Sequence, residues 1–202
     1  MLGTPLNTRV RRTLGVSLSE GLALTFVDTP TVYFPANIQA PDADNSTFEG
    51  SPRTGLTSSR LAWKLPLDLK ACDRVEALGG EVYELLADAR PLTAGRSRVG
   101  FAAPVLPVAE LYPRTAELRI LGADAPLATV ECAVFQGRET TGGRGKYTDT
   151  FCELPPSTWE HFQAEPKKNR ELVFADGPVW KLAEAVLGAE VPFVTATLRK
   201  AS

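Results

Sequence analysis

The residues of this chain that could do chemistry are few, and most are poorly set for it. Asp42 and Asp44 offer two carboxylates a residue apart, the raw material for a general acid and a general base. Such a pair needs an apolar or charged setting to drive its pKa values apart. These two stand among Pro41, Asn45, Ser46 and Gly50, where solvated loop charge is the simpler account. A single histidine, His161, leaves little imidazole for a metal site or a catalytic triad. Cys72, Cys132 and Cys152 are odd in number and lack C-x-x-C spacing. They read as small buried apolar groups, with a Cys132–Cys152 bridge open if their strands are neighbours. Gly142-Gly143-Arg144-Gly145 comes nearest to a phosphate cradle, but a strand follows it, so the helix N-terminus that holds phosphate is missing. No nucleophile elbow, zinc-protease helix, P-loop or dinucleotide fingerprint occurs. The expectation is a protein that is not an enzyme and takes no metal or cofactor.

Charge on loops is the more suggestive pattern. Arg138, Arg144 and Lys146 gather on one prospective loop, whereas Asp42, Asp44 and Glu49 lie on another, with Phe48 and Arg53. Opposite-sign loops at equivalent places pair between neighbouring subunits, face different partners, or are two unrelated solvated loops. Arg9, Arg11 and Arg12 mark a basic N-terminal arm over residues 1–14, free or held by a partner. A net charge of −2 and a pI near 5.6 give no general reason to bind nucleic acid or a membrane surface. A few positive charges on one loop add little affinity for DNA at physiological salt. There is no long apolar run and no apolar leader near Met1, so the chain reads as soluble and made in the cytoplasm.

The elements that must position these residues are strands. Leu22–Val27 and Thr31–Phe34 are rich in β-formers around Thr29-Pro30, and Arg60–Leu65 stops at Pro66, which cannot donate to a ladder. Between them, Ala40–Ser59 reads as a loop long enough to be a contact element. Asp73–Leu78 and Glu81–Leu86 flank Gly79-Gly80, a hairpin whose turn needs positive φ. Val99–Val105 is the last strand of this unit, and the proline-bracketed segment Val105–Pro113 reads as a linker. Thr115–Leu121, Leu127–Gln136, Lys146–Leu154, Glu171–Phe174, Val179–Leu182 and Val191–Arg199 follow as strands, with a loop at Gly137–Gly145. Ser157 with Glu160 forms a capping box, placing one short helix at 157–163.

The second half repeats the first. Leu78-Gly79-Gly80-Glu81-Val82-Tyr83-Glu84-Leu85 returns as Ala175-Asp176-Gly177-Pro178-Val179-Trp180-Lys181-Leu182. Asp28-Thr29-Pro30 matches Asp124-Ala125-Pro126, Ile38-Gln39 matches Phe135-Gln136, and Lys64-Leu65-Pro66 matches Glu153-Leu154-Pro155, in the same order. The fold expected is all-β: two tandem small antiparallel barrel or sandwich units at 15–106 and 114–202. Trp63, Tyr83 and Phe101 are expected in one core, and Trp180, Phe193 and Phe135 in the other.

The run Trp63-Lys64-Leu65-Pro66, then Asp73-Arg74-Val75-Glu76, a glycine turn and Val82-Tyr83-Glu84 resembles the small β-barrel head-closure proteins of tailed bacteriophages, also called head-to-tail connector or stopper proteins. Phe151-Cys152-Glu153-Leu154-Pro155 and Asp176-Gly177-Pro178-Val179-Trp180 match more loosely. The resemblance implies a structural virion protein at the head-tail interface, forming a six- or twelve-fold homo-oligomeric ring. Its implied partners are the portal or adaptor protein and the tail terminator or tail tube, with packaged DNA close by and no membrane. Where that family has one barrel, this chain has two. The alternatives are a tail-side ring or minor tail protein, or, in a different class, a β-barrel ligand-binding protein or hydrolase.

Overall fold

The computed structural model describes residues 8–19, 23–27, 32–40, 56–142, 145–164, 169–175, 177–187 and 193–200. The chain divides into two compact units, Met1–Glu110 and Leu111–Ser202. The first holds β1 (Thr8–Ser19), β2 (Ala23–Val27), β3 (Tyr33–Gln39), β4 (Ser59–Trp63), β5 (Arg74–Glu76), β6 (Val82–Leu85), β7 (Arg90–Ala94), β8 (Ser97–Pro107) and most of a short helix α1 (Val108–Leu111). The second holds β9 (Arg114–Ile120), β10 (Pro126–Gly142), β11 (Gly145–Leu154), a 3-10 turn (Pro156–Thr158), α2 (Trp159–Ala164), β12 (Arg170–Val173), β13 (Val179–Leu187) and β14 (Val194–Lys200). The protein is mainly β, as expected.

The second unit is a closed antiparallel barrel of order β10-β11-β14-β13-β12-β9. The first is a sheet of order β2-β1-β3-β4-β8-β6-β5, with β7 beside β8 and a further pairing of β1 with β5. Its pairings β1–β3, β3–β4, β4–β8, β8–β6, β6–β5 and β5–β1 therefore return to their start. They do so in the same order as β9, β10, β11, β14, β13 and β12. Corresponding ladders also share their register. Val10 faces Phe34 as Ala116 faces Val130, Ile38 faces Leu61 as Val134 faces Cys152, and Leu61 faces Ala103 as Cys152 faces Ala196. Tyr83 faces Pro107 as Trp180 faces Lys200, and Val75 faces Tyr83 as Leu172 faces Trp180. Five ladders fix the displacement of every strand. The sixth closes in step at Arg12, which faces Val75 as Leu118 faces Leu172, and then slips by one residue at a bulge in β1, where Leu14 faces Arg74.

The cores obey the same correspondence. Phe34, Ala36, Leu61, Trp63, Val75, Leu85, Ala103 and Val105 are buried together in the first unit. Their counterparts Val130, Cys132, Cys152, Leu154, Leu172, Leu182, Ala196 and Leu198 are buried together in the second. Burial of alternate residues on each strand drives this, since a one-residue slip would turn every core side chain outward. The contents differ. Trp63 packs between Phe34 and Phe101, with ring centroids 6.1 and 6.0 Å away, where the second unit has Val130, Leu154 and Val194.

Several expectations change. Residues 8–14 of the presumed arm lie in β1, paired to β3 and β5. Val10, Leu14, Val16 and Leu18 alternate through that stretch, a strand signal that the arginines interrupt. Residues 137–142 and Gly145 of the expected loop instead belong to the β10–β11 ribbon, whose register shifts between Gln136 and Glu139. There two residues of β10 oppose one of β11, a bulge that Gly137 accommodates. The linker at 105–113 is β8 to Pro107, then α1 and two further residues, with Val108, Leu111 and Tyr112 buried. The short helix is present, but its N-terminus carries no side-chain cap. Ser157 lies within the 3-10 turn, Pro156 takes the first position, and the Thr158 hydroxyl donates to the Pro155 carbonyl at 2.6 Å.

Two of the repeat anchors shift as well. Leu65 is 42 % exposed while Leu154 is fully buried, and the register makes Trp63 the counterpart of Leu154. Ile38 corresponds to Val134, so Phe135 falls on the opposite face and is not part of the barrel core. Phe193 is buried against Tyr112, edge to face at 6.1 Å. The hairpin anchor stands residue for residue, since Gly80 N–H donates to Ala77 as Gly177 N–H does to Phe174. Asp28-Thr29-Pro30 lies outside the described residues.

Candidate functional site

The two prospective contact loops join corresponding strands, β3 to β4 and β10 to β11. Asp42, Asp44, Phe48, Glu49 and Arg53 of the first lie outside the described residues. On the second, Arg138 stands at the bulge of β10 and Lys146 opposite Thr141, while Arg144 lies outside the described residues. Arg9 and Arg11 stand opposite Pro35 and Tyr33 of β3, and Arg12 opposite Val75 of β5. The candidate contact residues thus divide among the wall of the first unit, the ribbon of the second, and segments that are not described.

The best-defined polar constellation is one the sequence did not single out. Asp73, Arg74 and Glu84 sit on the β5–β6 hairpin, with Asp73 and Glu84 buried. Arg74 Nε donates to Glu84 Oε2 at 3.0 Å, with the side chains 19 % and 1 % exposed. The pair lies on the face opposite Val75 and Leu85, outside the core. The Asp73 carboxylate accepts from Lys70 N–H at 2.9 Å, and the Asp88 carboxylate from Ala71 N–H at 3.0 Å. Lys70 Nζ reaches Asp68 at 3.0 Å and Asp88 at 3.6 Å, and the hydrogen bond to Asp68 is the main reason its pKa is raised. These contacts clamp the 67–73 connection to the segment after β6, aided by Cys72 N–H to the Leu85 carbonyl and Ala89 N–H to the Leu69 carbonyl. Alternating charges across a hairpin were the available signal.

In the second unit, Arg114 stacks over Phe174, its guanidinium carbon 4.1 Å from the ring centre. Arg170 is buried, donates to the His161 carbonyl at 2.6 Å and lies 5.7 Å from the Phe162 ring, tying α2 to β12. Trp159 and Phe162 stack at 5.7 Å.

The three thiols are free and buried. Cys132 does not face Cys152 across the β10–β11 ladder, where Val134 takes that place. Burial pushes the Cys132 thiol up to about 11 and the Cys152 thiol up to about 12, and raises Cys72 further, with Glu84 and Asp73 adding to it. All three remain protonated near neutral pH, so none is a ready nucleophile or thiolate ligand. Among the described residues, no group of three or more His, Cys, Asp or Glu is arranged to hold a metal ion. Among the same residues no helix is long and apolar enough to cross a membrane.

No protein-family model matches the chain, and no curated protein or solved structure matches it significantly.

Proposed function

We propose that the chain is a structural virion protein of the head-to-tail connector of a tailed bacteriophage, forming a ring beneath the portal or adaptor that closes the filled head and docks the tail. The observation that carries this reading is the six-strand plan, in which the hairpin segments that resemble head-closure proteins occupy corresponding places in the two units, although the Leu-Pro segments do not. Trp63 ends β4, Arg74-Val75-Glu76 form β5 and Val82-Tyr83-Glu84 open β6. Phe151–Leu154 ends β11, and Val179-Trp180 opens β13. Corresponding walls with differing β3–β4 and β10–β11 connections suit a protein that acts through contacts presented at one end of a rigid barrel. Co-sedimentation tests the reading: the chain should travel with portal-containing heads and not with free tails. Association with tails alone would move it to the tail-side ring, and association with neither would refute a connector role.

A further inference from the structure

The first unit carries a ribbon that the second lacks. Arg12 and Phe34 occupy the places of Leu118 and Val130, yet 21 residues separate the first pair and 11 the second. Where the second unit passes from β9 to β10 by a short connection, the first inserts the far half of β1 and all of β2. The ribbon alternates strictly. Val16 stands opposite Phe26 and Leu18 opposite Leu24, whereas Ser17 stands opposite Thr25 and Ser19 opposite Ala23. By register, four apolar residues therefore share one face. Among the described strands β2 pairs with β1 alone, which leaves its other edge without a ladder. Free edges are ordinarily blunted by charge or proline. β7, which pairs with β8 alone, carries Arg90 and Pro91, and the β10–β11 ribbon beyond the barrel carries Arg138, Glu139 and Lys146. β2, Ala23-Leu24-Thr25-Phe26-Val27, has neither device, and the only charged residue between Thr13 and Val27 is Glu20.

We propose that β2 is a docking edge for the β2 of a second copy, the two strands running antiparallel about a two-fold axis at Thr25. An open strand edge is completed by another strand, and an uncharged one meets its own copy without like-charge repulsion. The alternation fixes the register. With the axis at Thr25 the whole of β2 is paired: Ala23 opposite the partner's Val27, Leu24 opposite the partner's Phe26, and Thr25 opposite the partner's Thr25. A slip of one residue would set apolar positions against Thr25 and split the two faces. The contact is isologous, so it closes at two chains. A two-stranded ribbon is marginal by itself, whereas three or more strands with an apolar face are stable, and the pairing makes a four-stranded sheet of β1 and β2 from each copy. It needs only this chain and does not rest on the connector reading.

Sedimentation velocity of the full chain tests the pairing, and the wild type should dimerise as its concentration rises. Thr25→Lys and Thr25→Glu each set like charges against each other at the axis and should weaken dimerisation roughly fivefold or more. An equimolar mixture of the two variants sets opposite charges there and should restore it, a recovery that misfolded variants do not give. Oxidative cross-linking locates the contact. Thr25→Cys should link two chains, because ladder partners lie about 5 Å apart at Cβ. Ser17→Cys, in the same row but one strand further from the axis, should not, since three strand spacings, about 14 Å, separate it from its copy. A wild type that stays monomeric at every concentration would overturn the proposal. So would a mixture that associates no better than its components, or equal cross-linking from the two positions.

Discussion

Gly100 offers the sharpest test of the packing in the first unit. A Cβ built on it would lie 2.5 Å from the Trp63 carbonyl oxygen and 3.4 Å from the Trp63 carbonyl carbon, both backbone atoms. Ordinary contact requires at least several tenths of an ångström more, and the carbonyl is not free to give it. Trp63 is paired to Phe101 in the β4–β8 ladder, and its ring is held between Phe34 and Phe101. Gly100→Ala should therefore behave as overpacking and cost about 3 kcal/mol, the upper part of the usual range. For a unit of this size that amounts to roughly 12 °C in Tm. Two other glycines separate the causes. Gly80 has open space around it but φ of +85°, so Gly80→Ala should cost about 1–2 kcal/mol through backbone strain alone. Gly79 has neither a near atom nor a positive φ, so Gly79→Ala should lie within about 0.5 kcal/mol of wild type. Trp63 is the one tryptophan before residue 111, so urea titrations followed by its fluorescence, with Trp159 and Trp180 changed to Phe, report on this unit. A Gly100→Ala midpoint equal to that of Gly79→Ala would refute the close approach.

Other outcomes follow from the same contacts. Glu84→Gln leaves Arg74 facing an uncharged partner and should cost about 3 kcal/mol, whereas Arg74→Met/Glu84→Leu should cost less; urea midpoints of the two variants decide. Leu154→Ala should lose about 2–5 kcal/mol and Leu65→Ala well under 1, although both leucines directly precede a proline. Equal losses in a thermal melt would undo the register assigned here. The buried thiols make stability fall on the alkaline side. Their folded pKa values stand above the unfolded value, so the unfolded chain releases these protons first as pH rises. Their contribution is complete below about pH 8.5 and then falls by up to about 1.4 kcal/mol per pH unit for each thiol. For Cys132 and Cys152 the decline continues to about pH 11 and 12. Urea titrations from pH 7 to 11 should show this slope, and Cys→Ala substitutions should flatten it.

The all-β plan and the doubling were readable because turn chemistry and alternation are local. The β5–β6 and β12–β13 hairpins were legible and correctly aligned with each other, though not in their strand bounds, since both place glycine at the same turn position and an aromatic three residues beyond it. The Leu-Pro anchor misled because Pro66 and Pro155 mark the end of a strand without fixing its register. Only cross-strand pairing shows that β4 stops at Trp63, two residues before Leu65. Phe135 was assigned to the core on size, yet alternation with Val134 turns it away. The Arg74–Glu84 pair escaped notice because burial on the outer face of a barrel depends on what covers it, and no local pattern encodes that. The arm was hidden by composition: its arginines suggested a free polar segment, while the spacing of Val10, Leu14, Val16 and Leu18 specified a strand.

A ring of six ladders has one constraint more than a row of six strands. An open sheet can take up a lengthened strand at its edge, but around a closed circuit every register must sum to the same total. Two halves that keep such a circuit can differ freely in side-chain size, as the exchange of Phe34, Trp63 and Phe101 for Val130, Leu154 and Val194 illustrates. They can also differ in the lengths of the connections. They cannot differ in phase. Corresponding strands here lie at different separations along the chain, yet each separation is constant within its strand outside the bulges. The likeness of the two halves therefore lies in which residue faces which, and it holds where the letters themselves no longer agree.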